Sequence, residues 1–368
     1  TRDHVISLDN ILSDASFTQF STMTNQEFAN LTNLESLEGR FCKFINSAIG
    51  AEKDTILKAF PANNVVPCNM GYPLHILADS QPWNPQGEPF NLAKFLCGTE
   101  GTLSLITKAT VKLVPLARYR HMVCVHFDSL EQALHAVSIA VSLQASAAEL
   151  LDQYILSLTK SNLEQQRNRN WIEGKPEAIL LVEFCGDNAA ELANKASTLI
   201  EQLKSSSLGY HYPQLINEQT AKAWAIRRAG LGLLMGTRIS RKPVTFIEDS
   251  AVAVSKLPVF VEEFKTILKA HDAKSVFYGS VSTGLIHLRP ILDLKLHREK
   301  CKLIAIANET ADLLHKLHGT MSAKHGDGII RSHYIKKLLG DTVYQLITQS
   351  KQQFDPDNIF NPHKIVDS

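Results

Sequence analysis

The pattern of apolar and polar residues changes period several times along this chain, and each period predicts one kind of element. Alternation at every second position predicts strands, and apolar residues three or four positions apart predict helices. In the first part of the chain this pattern predicts the following elements: a strand at 4–12, helices at 34–49 and 53–60, a loop rich in proline and glycine at 67–87, and a pair of strands at 103–114.

From residue 118 the order changes to strand, helix, strand, which predicts two related units that mix helices and strands. We therefore predict an α+β fold with a domain boundary near Leu116, which separates residues 1–116 from residues 117–368. The predicted elements of the second part are strands at 122–127, 178–184 and near 210, helices at 129–143, 188–203 and 219–235, a strand at 244–247, a helix at 256–270, a strand pair at 275–288, and helices at 298–317 and 332–350.

Composition supports two domains and excludes some classes of partner. A chain of 368 residues, of which 44% are hydrophobic and 20% charged, is long enough for two cores of ordinary size. Its 38 basic and 37 acidic residues leave a formal charge of +1, so no broad positive field is predicted to hold nucleic acid or an anionic membrane. Small molecules or proteins remain as predicted partners.

Hydropathy and cysteine usage predict the compartment. No apolar run approaches the roughly 18 to 20 residues that cross a bilayer. Residues 1–4 show neither the charged n-region nor the apolar h-region of a secretory signal. We therefore predict no transmembrane segment and a cytoplasmic location, with a peripheral position at the inner membrane left open. The six cysteines show no C-x-x-C spacing, which disfavours an iron–sulfur cluster, a zinc knuckle or a disulfide framework and predicts buried free thiols.

Glycine-rich segments are the first candidates for ligand contact. The two glycines and two hydroxyl side chains of residues 98–103 would let backbone amides approach a phosphate or a flat ring, although a tight turn explains the same pattern. His287 lies in a predicted strand pair, and His325 is flanked by small residues and glycines. Lys324 beside it gives this segment electrostatics unlike those of a metal site. Spacing alone leaves open whether the two histidines meet.

Charged residues supply two further candidates. Arg227 on a predicted helix could bind a substrate carboxylate with two nitrogens, or it could be a solvated charge. Glu248 and Asp249 follow a predicted strand, where they could form a carboxylate pair or simply the polar end of an edge strand. The second interpretation is favoured for this pair.

A resemblance to a known family rests on segments that occur in this order: GTEGTLSLITKATVKLVP, FIEDSAVAV, YGSVSTGLIHLRP, SAKHGDGIIRS and FDPDNIFNPHKI. Together they resemble the FAD-linked oxidases of the vanillyl-alcohol oxidase (PCMH) type. Within that type they resemble most the branch of D-lactate dehydrogenase, glycolate oxidase and D-2-hydroxyglutarate dehydrogenase. The resemblance covers nearly the whole chain, up to Ile365.

The resemblance implies the identity of both domains. Residues 1–116 would be the second half of a PCMH-type FAD-binding domain, and residues 117–368 the substrate (cap) domain with a ferredoxin-like sheet. The first half of the flavin domain would precede the first residue here, so we expect a fragment. FAD is the implied cofactor, and the residues that the resemblance assigns to it are Asn69, Gly71, Tyr72, Gly98, Thr99, Glu100, Gly101, Thr102, Leu103 and Asn361.

The resemblance also implies the catalytic and substrate residues. Arg227 matches a helix arginine that meets a substrate carboxylate. In metal-dependent members, an H-x-x-x-G-x-x-H pattern and the glutamate of an E-H-G triplet hold a divalent cation, and the triplet histidine is the base. Here Ser280 and Lys324 stand at two of those ligand positions, and only His287 and His325 remain. We therefore predict no bound metal, with both histidines catalytic, His325 as the base, and Lys324 as a further substrate contact.

The implied function is an FAD-dependent dehydrogenase of a small 2-hydroxy acid such as D-lactate, glycolate or D-2-hydroxyglutarate. Hydride would pass to the flavin and electrons would leave to an acceptor protein or a quinone. A homodimer is left open, and the fragment alone is expected to bind flavin poorly. The alternative function is that of a catalytically decayed flavin-domain remnant or a non-catalytic subunit, which the residues at positions 280 and 324 favour.

Overall fold

The computed structural model describes residues 2–62, 66–236 and 240–367. The strands, in chain order, are β1 (Val5–Ile11), β2 (Phe17–Phe20), β3 (Leu105–Val111), β4 (Tyr119–Phe127), β5 (Ala147–Asp152), β6 (Ala178–Gly186), β7 (Gln214–Ile216), β8 (Lys242–Pro243), β9 (Ser250–Ala251), β10 (Ser275–Gly279) and β11 (Leu285–Leu292). The α-helices are α1 (Asn25–Leu31), α2 (Leu37–Ala59), α3 (Leu74–Ala78), α4 (Leu92–Leu96), α5 (Leu130–Ser142), α6 (Gln153–Ser161), α7 (Leu163–Gln166), α8 (Ala189–Ser205), α9 (Thr220–Met235), α10 (Leu257–Ala270), α11 (His297–Leu317) and α12 (Ile335–Phe354). This mixture of helices and strands confirms the predicted α+β class.

The chain divides into two compact units. The first unit combines the residues up to Val114 with the segment that starts at Thr320, and the second unit runs from Pro115 to Gly319. The division predicted from sequence follows the chain and assigns all of 117–368 to one domain, whereas the compact units assign the last segment to the first unit.

Aromatic packing explains why the C-terminal segment belongs to the first unit. Helix α12 packs against α2, and its last residue, Phe354, lies 4.1 Å from Phe41 and 6.4 Å from Phe20 between ring centroids. All three rings are fully buried. Such rings bury large apolar areas and prefer tilted or edge contacts. They tie α12 to α2 and to a three-stranded antiparallel sheet of order β2-β1-β3.

The second unit is built on a sheet of order β7-β4-β6-β5-β10-β11-β8. Its first part follows the chain order β4-α5-β5-α6-α7-β6-α8-β7. Apart from the inserted α6 and α7, this order and the antiparallel strand order β7-β4-β6-β5 are those of a ferredoxin-like unit. Helices α6 and α9 share a core with alternate residues of β4 and β6, and α5 and α8 pack on the same strands. Because helices cover both faces, these strands are buried along most of their length.

A partial repeat of the same pattern extends this sheet. The segment β9-α10-β10-β11-α11 repeats the order strand, helix, strand, strand, helix. Strand β10 joins it to β5, with Tyr278 opposite Leu151 and Gly279 opposite Leu150. On its other side β10 pairs with β11, where Tyr278 lies opposite His287. This register places the end of β10 beside the second half of β5.

Two strand predictions were wrong, and the predicted break between two helices was right. The strand predicted at 244–247 is absent from the structure; the paired residues are those of β8, just before it. The strand pair predicted at 103–114 is the single strand β3, which pairs with β1. The two helices predicted at 34–49 and 53–60 are confirmed, because α2 consists of two helical stretches joined at a kink, with non-helical backbone angles at Glu52.

Other predictions about burial and membrane spanning have separate outcomes. Buried thiols are found at Cys42, Cys68 and Cys124, but Cys301 is exposed. In the three described ranges, no helix has both the length and the hydrophobicity needed to cross a bilayer. The cytoplasmic location stays a prediction.

Candidate functional site

The histidine-bearing loop of the first unit, residues 322–328, is bound to the segment that starts at Asn69. The Asn69 backbone amide donates to the Ser322 carbonyl over 2.7 Å, and the Asn69 side chain donates to the Lys324 carbonyl over 3.2 Å. The Gly71 amide donates to Asp327 Oδ2 over 2.6 Å. These bonds fix the loop, while the side chains of Lys324 and His325 themselves are exposed.

Glu100 binds the other end of this loop. Its carboxylate accepts from the amide of Asp327 over 2.7 Å and from the amide of Gly328 over 3.0 Å. Gly326 has φ +86°, and a Cβ placed there would lie 2.5 Å from Glu100 Oε1. Only glycine fits this approach without strain. The Glu100 carboxylate therefore holds the histidine loop in its conformation, which the sequence did not predict.

C-terminal residues hold the 98–103 loop in turn. The Asn361 side-chain amide donates to the Glu100 carbonyl over 2.8 Å. Lys351, a buried lysine, donates to the Thr102 carbonyl over 2.8 Å and pairs with Asp355. The predicted flavin segments at 69–72, 98–103 and 361 are thus joined within one unit.

Asp327 is a buried carboxyl to which sequence reasoning assigned no role. It is 1% exposed, and its Oδ1 has no hydrogen-bond partner among the described residues. Burial raises the pKa of Asp327 to about 7, and the Glu100 carboxylate adds to this effect, although the bond from Gly71 opposes it. The only available sequence signal was its place between two glycines beside a candidate histidine.

A cavity of about 1130 Å³ opens in the first unit. Of the residues assigned to flavin or substrate, Asn69, Gly98 and Lys324 line it. Tyr72 is fully buried, as are Thr102 and Leu103, and its hydroxyl is hydrogen-bonded to Thr102 over 2.7 Å. The structure therefore places these three side chains in the protein core and not on the cavity surface.

Arg2 supplies a cation at the wall of the cavity. Its Nη2 donates to Asn69 Oδ1 over 2.8 Å and to the Cys97 carbonyl over 2.7 Å. Within the described ranges its buried Nε has no hydrogen-bond partner. Gly98 has φ +89°, and a Cβ there would lie 3.2 Å from both the arginine and the asparagine side chains. This part of the cavity wall therefore consists of the Gly98 backbone beside the positive charge of Arg2.

Arg227 of the second unit is paired with a residue that sequence reasoning missed. Its Nε lies 2.7 Å from Glu149 Oε2, and the Ser280 hydroxyl donates to Glu149 Oε1 over 2.5 Å. Glu149 lies in β5, a strand without alternation that the sequence analysis did not predict. No signal for a functional glutamate was therefore visible.

Tyr278 lies at the centre of the same group. The guanidinium carbons of Arg227 and Arg289 lie 5.1 Å and 5.6 Å from its ring centroid, and the His287 ring lies 4.7 Å away. Burial raises the pKa of Tyr278, so the phenol is neutral at neutral pH. His287 Nδ1 is hydrogen-bonded to the Glu248 carbonyl over 2.7 Å.

The interpretation of Glu248 and Asp249 as the polar end of an edge strand was wrong. The two residues are 7% and 0% exposed, and the strand predicted before them is absent. Acidic residues are rarely so buried without polar surroundings. They belong to the interior of the second unit.

The predicted site residues fall in different units. His325, Lys324 and the flavin-assigned residues lie in the first unit, and Arg227 and His287 lie in the second. In the part of the chain that the structure describes, no group of three or more histidine, cysteine or acidic side chains is placed to hold a metal ion. The predicted absence of metal stays a prediction.

Comparison with curated proteins finds relatives along nearly the whole chain. A D-2-hydroxyglutarate dehydrogenase of Pantoea ananatis is 28% identical over 379 residues, which cover 99% of this chain and 36% of that protein. A D-lactate dehydrogenase of Archaeoglobus fulgidus is 24% identical and covers 79% of this chain and 63% of its own length. This chain therefore spans about a third of the length of the first relative.

A solved structure of p-cresol methylhydroxylase with substrate bound shares the fold. Its TM-score is 0.61 at 11% identity, and the match covers 99% of this chain and 65% of that one. This agrees with the fold that the sequence resemblance implied.

The cavity of the first unit fits the cofactor that this fold implies. Its volume of about 1130 Å³ is somewhat above the roughly 300 to 1,000 Å³ of typical small-molecule pockets, so it has room for a large cofactor. The bare backbone at Gly98 suits a flat ring, and the unpartnered Nε of Arg2 is a buried donor for an anionic group. Residues 116–365 match the family described as FAD linked oxidases, C-terminal domain. FAD is the cofactor of that family, and the chain belongs to it.

Proposed function

We propose that this chain is the substrate-side part of an FAD-dependent dehydrogenase that oxidises a small 2-hydroxy acid. The observation that carries the proposal is the attachment of the His325 loop to Asn69 and Glu100, which keeps an exposed histidine beside the cavity. The names of two relatives, D-2-hydroxyglutarate dehydrogenase and D-lactate dehydrogenase, support the same substrate class.

Each residue assigned by the family resemblance has a separate proposed task. Bound FAD would accept a hydride, and Asn69, Gly98 and Arg2 would hold it. His325 would take the proton of the substrate hydroxyl, a step that contributes roughly 10² to 10⁴ in rate when the base is well placed. Arg227 would bind the substrate carboxylate, since a guanidinium matches that group with two parallel hydrogen bonds.

Lys324 and His287 complete the assignment. The exposed ammonium of Lys324 would add a positive charge for a carboxylate or for the developing alkoxide. His287, whose Nδ1 is hydrogen-bonded to the Glu248 carbonyl, would be the second catalytic histidine. We propose an acceptor protein or a quinone as the destination of the electrons.

The test is flavin reduction in the natural polypeptide that contains this chain. The purified protein should show flavin absorbance in the visible range, and D-lactate, glycolate or D-2-hydroxyglutarate should bleach it anaerobically. Propionate and glutarate, which lack the 2-hydroxyl, are the matched controls and should leave the absorbance unchanged. A protein without flavin, or one that the controls bleach equally, would contradict the proposal.

The alternative is a non-catalytic flavin domain, which one observation favours. The Ser280 hydroxyl is directed to Glu149, so this position serves an internal bond. Bound flavin that no 2-hydroxy acid reduces would support this alternative over the enzyme.

A further inference from the structure

We propose that Glu149 and Ser280 are positioning residues, which hold Arg227 so that its two terminal nitrogens face an anionic ligand. The ligand group is a carboxylate. The proposal deepens the proposed function and rests on its substrate being a carboxylic acid. It adds two residues that neither family resemblance nor sequence spacing assigns to substrate binding.

The hydrogen bonds of Arg227 leave its outer edge available. Glu149 Oε2 binds Nε, at 2.7 Å. Within 2–62, 66–236 and 240–367, Nη1 and Nη2 have no hydrogen-bond partner, and the side chain is 17% exposed. A carboxylate binds a guanidinium best through two parallel bonds. With Nε already occupied, the pair Nη1 and Nη2 is the edge that remains for such a ligand.

Glu149 is itself fixed by two different donors. Ser280 binds Oε1 and Arg227 binds Oε2. The carboxylate plane cannot rotate without losing one of these bonds. Its side chain is 10% exposed, so water competes weakly for either oxygen. Removing the Ser280 hydroxyl would therefore free the carboxylate to turn, and with it the arginine.

The sheet register determines where the Ser280 hydroxyl lies. Tyr278 and Gly279 pair with Leu151 and Leu150, so Ser280, the residue that follows β10, comes level with Glu149. Gly279 has φ +147°, and a Cβ there would lie 3.0 Å from the Leu285 carbonyl. The backbone before Ser280 thus has little freedom. The serine is held by main-chain structure and in turn holds the glutamate.

A second guanidinium, that of Arg289, makes a negative charge beside Arg227 more important. Arg289 lies 5.6 Å from the same Tyr278 ring that Arg227 approaches at 5.1 Å. It is 4% exposed, and its Nε has no hydrogen-bond partner in the described part of the chain. Two cations near one ring repel each other in a poorly solvated site. Glu149 offsets that repulsion at Arg227, and a bound carboxylate would do so further.

The experiment compares Ser280→Ala, Ser280→Thr, Glu149→Gln and the control Ser282→Ala in the natural polypeptide. Ser282 lies on the same turn and is half-buried. Loss of the Ser280 hydroxyl should raise the KM for the hydroxy acid about tenfold, the factor that corresponds to 1.4 kcal/mol, with kcat changed less than twofold. Ser280→Thr should restore KM, Glu149→Gln should raise it at least as much, and the control should match wild type.

Calorimetric titration with oxalate gives a readout that does not need turnover. The dissociation constant should rise about tenfold in Ser280→Ala and stay unchanged in Ser282→Ala. If no hydroxy acid reduces the flavin but this difference appears, the proposed function fails and the positioning role stands. If oxalate does not bind wild type, or if both serine variants bind it equally, the positioning role is overturned.

Discussion

Replacing Asp327 by asparagine should make the chain more stable at alkaline pH and leave it almost unchanged at acidic pH. The carboxyl is buried, accepts a hydrogen bond from the Gly71 amide, and interacts electrostatically with the Glu100 carboxylate and the Arg331 cation. Burial raises its pKa from 3.8 to about 7. Asparagine keeps an oxygen for the Gly71 amide but has no proton to lose.

The sign of this effect follows from the two pKa values. Below about pH 4 both the folded and the unfolded state hold the proton, so the neutral carboxyl contributes its full stability. As the pH rises towards 7, the unfolded state releases its proton first and the free energy of unfolding falls. A difference of about three pKa units, at 1.36 kcal/mol each, gives a total loss of about 4 kcal/mol above pH 7.

Urea denaturation at pH 5 and pH 8 measures the part of this loss that lies between those values. Roughly two of the three units remain above pH 5, so wild type should lose about 2 to 3 kcal/mol more than Asp327→Asn between the two conditions. Asp152, whose pKa burial also raises to about 7, is present in both proteins and cancels in the comparison. Equal losses in wild type and variant would refute the reasoning.

Other predictions concern the elements that hold the histidine loop and the histidine itself. Lys351→Met should lower the free energy of unfolding by about 3 kcal/mol or more, because it leaves Asp355 buried without its cation; the loss should shrink in a double variant that also carries Asp355→Leu. Gly326→Ala should cost more stability than Gly340→Ala, since both glycines have positive φ but only the first has atoms within 4 Å of the added Cβ; equal losses in urea would contradict this. In the natural polypeptide, His325→Ala should abolish hydroxy-acid turnover while flavin absorbance is retained, and unchanged turnover would exclude His325 as the base.

Helices of the second unit were predictable because their ends and faces are encoded locally. The helix predicted at 129–143 is α5, whose cap, Ser129, accepts from the Gln132 amide. The helix predicted at 188–203 is α8, which Asn188 caps in the same way. In both, apolar residues at helical spacing form the buried face. Cap and periodicity agree, so the boundaries come within two residues.

Strands buried on both faces could not be predicted in this way. Residues 147–152 lack the alternation of a half-buried strand, because helices cover both sides of β5. A short apolar run of this kind is equally consistent with a helix segment. The consequence for the site is direct, since Glu149 lies in this strand.

The candidate residues divide into those that would contact a ligand and those that hold these residues in position. The sequence analysis selected His325, Lys324 and Arg227 as candidates. The first two lie in a segment of glycines and small residues, and the third lies on a predicted helix. Two carboxylates hold them in position: Glu100 binds the histidine loop, and Glu149 binds the arginine. The sequence separation is 227 positions for the first contact and 78 positions for the second. Their partners are backbone amides, one guanidinium nitrogen and the Ser280 hydroxyl, and no sequence motif predicts these contacts. Such contacts depend on tertiary register, so a sequence alone predicts candidate ligand-contacting groups better than it predicts the groups that position them.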